Sequence, residues 1–398
     1  MKLTFVSNYI NHHQIPVSSV LYERLGDGYH FIQTEPMERE RQEMGWDVDR
    51  STLPYLRCWY EEPDLCTELV RSSDVVVFGG VEDERYITAR LRSGRPVIRY
   101  SERLYREGQW KAVSPRGLLK KYRDHTRYRK KAVYLLCAGA YVASDFHIVR
   151  AYPDKMFRWG YFTETRTYQV EQLLAEKPGN TGKPVEILFA GRFLPLKHPE
   201  YALLLAKRLS DAGIPFHLTM AGGGEMEAAL HRQASEYGLS EQVYFAGYQK
   251  PGQVRTLMEQ ADIFLMTSNY LEGWGAVLNE AMNSGCAVIA DAMAGAVPFL
   301  LCHEKNGMVY RDGDREEFLR YGLRLAQDSA LRRELARNAY HTIVDLWNPS
   351  YAADSLLTFA ESIAEGRMAI NSEGPLSPAP VIAPGEGYAY TRRKVRNE

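Results

Sequence analysis

The 398-residue sequence is poor in cysteine. Its five (Cys58, Cys66, Cys137, Cys286, Cys302) are scattered, odd in number and without Cys-x-x-Cys spacing. That argues against a disulfide framework or a cysteine zinc site and fits a reducing cytosol. Long hydrophobic runs are missing too, and no stretch approaches the roughly 20 apolar residues of a membrane span. The opening MKLTFVSNYINHHQ turns polar too early for a signal peptide. Net charge is also lacking: 49 basic against 50 acidic side chains leave −1, so no global field selects a polyanion. No period of about 20 to 50 residues recurs, which excludes a solenoid. What is present, 45% apolar and 25% charged residues, is ordinary globular composition on a chain long enough for two or three domains. A cytoplasmic protein is expected.

Short apolar runs alternate with helical patterns, the mark of a parallel α/β architecture. KLTFVSN, YHFIQT, DVVVFGG, RPVIRYS and AYVAS read as strands of a first Rossmann-like domain over 1–163. A polar stretch with PGNTGKP suggests a linker over 164–184. VEILFAG, FHLTMAG, VYFAG, DIFLMTS and CAVIAD then read as strands of a second Rossmann-like domain over 185–346. Two such domains place a cleft where the carboxyl ends of their strands meet. A C-terminal helix is expected over 347–366, packing back on the first domain. The Pro- and Gly-rich 367–398 reads as a disordered tail.

One segment, YLEGWGAVLNEAMNSGCAVIAD, sets two glutamates among apolar neighbours. Glu272 stands in the turn before a helix expected over 275–284, and Glu280 on its first turn. A carboxylate beside a core is costly unless something polar meets it. Either both reach solvent, or both face a ligand such as the vicinal hydroxyls of a sugar or ribose. Gly273 and Gly275 would let the backbone approach that ligand closely.

This segment resembles the Glu-x7-Glu signature of retaining, nucleotide-sugar-dependent glycosyltransferases of family 4 (glycosyl transferases group 1), which have the GT-B fold. ILFAGRFLPLKHPEYALLLAKRL, LTMAGGGEMEAALHRQASEYGLSEQVYFAGYQ and CAVIADAMAGAVPFLLCHEKNGMVY resemble the family's neighbouring units over about 185–345. The resemblance implies two Rossmann-like domains with parallel sheets facing across a cleft. It implies that Arg192 and Lys197 hold the donor diphosphate, where fixed cations stabilise the charge growing on the leaving group. Glu272 would contact the transferred sugar and Glu280 the ribose. Gly191, Gly222 and Gly247 would line the nucleotide pocket with Gly273, Trp274, Gly275 and Ala276. Glu272, Arg192, Lys197 and His13 are the candidate catalytic residues. A nucleotide diphosphate sugar would be co-substrate, with no cofactor and no metal. The acceptor would be a glycan or lipid-linked chain in polysaccharide or lipopolysaccharide assembly. The sequence departs from the family where a common glutamate is Phe299. A nucleotide-sugar epimerase of the same fold, or a non-catalytic sugar- or lipid-binding subunit, are the alternatives.

On the acceptor side, His12, His13 and Gln14 precede a helix, and Ser101-Glu102-Arg103 follows a later strand. Each is a candidate for acceptor contact, and each also reads as an ordinary surface group. Asp47-x-Asp49 spells a metal site of a different fold but follows no clear strand, so no metal is assigned. Between Arg85 and Lys131, 16 Lys or Arg face three acids. Its core, 116–131, reads as a solvated face, a nucleic-acid surface or a patch for anionic lipid. Peripheral contact with the inner face of the cytoplasmic membrane is the expectation, and nucleic acid is not.

Overall fold

The computed structural model describes residues 1–38, 48–81 and 83–394. It divides into two compact units, Met1–Glu164 with Trp347–Ile382, and Thr165–Leu346 with Ala383–Glu398.

The first unit is built on β1 (Leu3–Ser7), β2 (Tyr29–Gln33), β3 (Leu56–Cys58), β4 (Val75–Gly79), β5 (Val97–Ser101), β6 (Val133–Ala138) and β7 (Met156–Trp159). These pair in parallel in the order β3-β2-β1-β4-β5-β6-β7. Every residue of β1, β4 and β6 is buried, as runs such as VVVFG and VYLLCA require when helices cover both faces. The strand expected at AYVAS is a correction. Gly139, at φ 127°, ends the approach from β6, and Val142–Ile148 is helix. The strand is the preceding VYLLCA. The three- and four-residue strands β3 and β7 are too short to show periodicity.

The helix Pro349–Ala364 belongs to this unit. Asn348 caps it, accepting from the Tyr351 amide at 2.8 Å. Phe359 packs edge-on to Tyr134 and Phe157, at 5.3 and 4.9 Å between centroids.

The second unit contains β8 (Val185–Ala190), β9 (Phe216–Ala221), β10 (Val243–Gly247), β11 (Ile263–Met266), β12 (Ala287–Asp291) and β13 (Met308–Tyr310). All are parallel, in the order β10-β9-β8-β11-β12-β13. The presumed linker is largely part of this unit. Its helix Val170–Glu176 buries Leu174 in the core. Lys177 is 3% exposed, and its ammonium meets the carbonyls of Met258 and Glu259 at 3.1 Å each, closing the helix Pro251–Gln260.

The expected disordered tail is also corrected. Over 376–379 it bonds to the free edge of β7: the Arg158 amide donates to Ser377 at 2.8 Å and the Ala379 amide to Met156 at 2.9 Å. It then enters the second unit, where Gly387–Arg393 is helical. The Tyr388 hydroxyl donates to the buried Glu317 carboxylate at 2.8 Å. Composition misled here because buried anchors, among them Leu376, Ile382, Tyr388 and Thr391, hold a chain otherwise rich in loop residues. Residues 395–398 lie outside the described residues.

Candidate active site

In the second unit the chain winds outward from β8 to β9 and β10, then returns to place β11 on the other side of β8. Loops leaving the carboxyl ends of β8 and β11 therefore diverge. That is the switch point where open parallel sheets bind ligands. Arg192 and Lys197 leave from β8, and Glu272 from β11.

Lys197 ends the short turn Pro195–Lys197, and its ammonium forms an ion pair with the Glu272 carboxylate. The two side chains are 17% and 15% exposed, open enough to meet a ligand and covered enough to be held. Hydrogen bonds to main-chain carbonyls lock the two loops together. The Thr267 hydroxyl donates to the Lys197 carbonyl at 2.6 Å, and the Asn269 amide donates to Leu196 at 2.9 Å. Asn269 also reaches His198 at 3.3 Å, whose other ring nitrogen meets Glu200 at 2.9 Å. The Glu200 hydrogen bond raises the His198 pKa. Thr267, Asn269 and His198 were not picked from the sequence. Only pairing of β8 with β11 makes neighbours of residues about 70 positions apart.

Glycines bring the remaining loops close. A Cβ on Gly222 would lie 2.0 Å from the Gly191 carbonyl oxygen, and one on Gly295 only 1.7 Å from that of Gly273. The Gly222 amide in turn donates to Gly247 at 2.9 Å, so Gly191, Gly222 and Gly247 form one rim. Glu280 sits half-buried in the first turn of Val277–Asn283. Arg192 is exposed, and its charge acts on the Tyr248 phenol, holding down a pKa that burial raises.

Trp274 is a correction to the donor-contact set. It is 1% exposed, its Nε1 donates to Asn279 at 2.9 Å, and its ring meets Phe299 at 6.4 Å. The indole is structural, and Phe299 packs beside it. Asp291, at the end of β12, is 2% exposed, and burial pushes its carboxyl up to about 8. It accepts the Met293 amide at 2.8 Å and shapes the next turn.

In the first unit the switch falls between β1 and β4. His12 and His13 follow β1 with rings 3.8 Å apart, and burial lowers the His12 pKa to about 4. Gln14 donates to Ser7 at 3.2 Å. His13 lies 5.7 Å from the Tyr161 ring, and the Tyr161 hydroxyl donates to Glu102 at 2.8 Å. His13 and Glu102, two of the acceptor-side candidates, thus share one neighbourhood through Tyr161, which the sequence did not flag. Glu102 also pairs with Arg106. Asp49 instead caps a turn, accepting from the Ser51 amide at 3.0 Å, and Asp47 lies outside the described residues. Among the described residues no group of three metal-ligating side chains occurs.

Residues 171–342 match the family model described as glycosyl transferases group 1. That match lies within the second unit, which is similar to the family over this stretch. The lipopolysaccharide core biosynthesis glycosyltransferase LpsE of Rhizobium meliloti (strain 1021) is 29% identical over 202 residues, 50% of this chain and 56% of that relative. The chain thus spans little more than half of LpsE. Among solved structures, Anabaena Alr3699/HepE in complex with UDP superposes with a TM-score of 0.62 at 15% identity, covering 92% of this chain and 99% of that one. WaaG, a glycosyltransferase involved in lipopolysaccharide biosynthesis, gives 0.58 at 16% identity, covering 88% and 98%. At such identity the likeness speaks for fold alone: two Rossmann-like domains with parallel sheets, as in a GT-B fold.

Proposed function

We propose that the chain transfers a hexose from a nucleoside diphosphate sugar to a glycan or lipid-linked acceptor, with retention of anomeric configuration. The setting would be polysaccharide or lipopolysaccharide assembly. The single observation behind this reading is the Lys197–Glu272 pair, held at the β8/β11 switch point within a family-matched domain. Lys197 and Arg192 neutralise the departing diphosphate, whose charge is greatest in the transition state. Glu272 accepts sugar hydroxyls and Glu280 those of the ribose, while the main chain around Gly222, Gly247, Gly275 and Ala276 surrounds the nucleotide. The leaving phosphate takes the acceptor proton on the same face, with no covalent sugar–enzyme intermediate. His13 and Glu102 orient the acceptor hydroxyl. Two fixed cations do the work of a metal, so EDTA should leave turnover unchanged.

A panel of nucleotide sugars scored by thermal stabilisation tests the donor, since a bound ligand raises the melting point by mass action. NMR of the product's anomeric proton then tests retention. No stabilisation by any nucleotide sugar removes the donor assignment, and an inverted product removes the mechanism. Turnover of a nucleotide sugar without acceptor, giving an epimer, would make the chain an isomerase.

A further inference from the structure

The helix Pro115–Asp124 of the first unit is inside out. Its buried residue is Asp124, whereas Leu118, Leu119 and Tyr122 are 42%, 69% and 58% exposed. A surface helix ordinarily turns its apolar stripe toward the core and its charges outward. Leu118 and Leu119 lie four and three positions before Tyr122, so the three form one outward patch. The preceding turn, Gln109–Val113, extends it with Trp110 at 70% and Val113 at 78% exposure. Five of the most exposed large apolar side chains thus fall within 13 consecutive residues.

Cations surround this patch. Residues 109–131 contain nine Lys or Arg and one acid, the buried Asp124. Arg116, Lys120 and Arg123 recur on one row of the helix, while Arg127, Arg129, Lys130 and Lys131 follow it, all exposed. Among the described residues, the Arg116, Lys120, Arg129, Lys130 and Lys131 side chains enter no ion pair. Like charges packed this closely repel unless an extended anionic surface meets them.

We infer that residues 109–131 form a membrane-insertion surface that seats the first unit on an anionic lipid bilayer. Trp110, Val113, Leu119 and Tyr122 enter the headgroup–acyl boundary while the flanking cations hold the lipid phosphates. Aromatic rings with polar tips favour that boundary, and Lys and Arg stems lie along it with their charges in water. A nucleic acid would satisfy the cations but leave two leucines and a valine exposed. A second copy of this chain would cover the apolar residues but oppose two cationic belts. Only a bilayer meets both demands at once. The surface uses no donor-site residue, and it rests on the lipid-linked acceptor reading only for its purpose.

The test is co-sedimentation of the full chain with vesicles of phosphatidylcholine, alone or mixed with phosphatidylglycerol. Binding is expected only to the mixed vesicles. Neutralising Arg116, Lys120, Lys130 and Lys131 to Gln should weaken it by roughly two orders of magnitude. The Trp110→Ser/Leu119→Ser pair should weaken it at least about tenfold even at low salt, because apolar burial is lost. Mixed vesicles should blue-shift tryptophan emission in the native chain and not in Trp110→Phe. Binding that survives both sets of substitutions would overturn the inference. So would preferential capture of an oligonucleotide, or a dimer dissolved by Leu119→Ser. Nucleotide-sugar stabilisation, measured on the same variants without lipid, should not change, so failure here is distinguishable from failure of the donor reading.

Discussion

The two units share a topology and differ in what they set at its switch point. The second places an ion pair, a carboxylate-bearing helix and a glycine rim there. The first places two histidines and a Tyr161–Glu102 hydrogen bond. Fixed charges with backbone access suit a polyanionic, conformationally defined ligand such as a sugar diphosphate. Half-buried hydrogen-bonding rings suit neutral hydroxyls. In the proposed function one fold would thus carry two different binding surfaces through its loops, while the sheets beneath stay similar.

Breaking the charge on one side should have the largest effect. Lys197→Met is expected to lower turnover by about 10²–10³-fold, with little change in melting temperature, because the loss falls on transition-state stabilisation. Glu102→Gln should cost much less. Equal losses in the two variants would erase the contrast between the units.

The closely packed glycines of the second unit provide the next test. Gly222→Ala and Gly295→Ala each force a Cβ into a carbonyl oxygen and should destabilise by roughly 3 kcal/mol or more in thermal unfolding. Gly252→Ala, where nothing lies within 4 Å of the added carbon, should be neutral or slightly stabilising on its helix.

Tyr388→Phe sharpens the assignment of the tail to the second unit. It removes a hydroxyl donor from the buried Glu317 carboxylate, at a cost of about 1–3 kcal/mol. An unchanged melting temperature would return the tail to the solvent.

The pH dependence of stability separates the units by sign, because they should respond in opposite directions. His12 titrates near 4 in the folded chain, against 6.5 unfolded. The unfolded chain therefore binds more protons between these values, and stability falls as pH drops from 6.5 toward 4. Asp291 titrates near 8 against 3.8, so the folded chain binds more protons there and stability falls as pH rises from about 4 to 8. His12→Gln should flatten the first slope and Asp291→Asn the second, read from melting temperature against pH.

What was legible in the sequence followed the strength of local signals. All-buried runs such as VVVFG announced their strands, because a parallel strand covered on both faces is apolar almost throughout. LRC and MFRW are equally real but too short to show a period, and AYVAS looked like a strand because tyrosine and valine favour one. Arg192, Lys197, Glu272 and Glu280 stood out by spacing and resemblance, whereas Trp274 was misjudged because spacing does not say which way an indole points. Thr267, Asn269 and Tyr161 carry no local mark at all.

The sequence by itself determined the parallel α/β class, the alternation that builds two sheets, and the residues able to bear charge near Glu272. It could do so because burial on both faces and glycine turns act within a few residues of chain. Tertiary structure alone decided that Lys197 meets Glu272 and that Tyr161 joins Glu102. It also decided that a Pro-rich tail is anchored and that a helix at 115–124 shows its leucines to solvent. These are pairings between distant segments, fixed by strand order and by which surfaces are left to cover, and no local pattern encodes them.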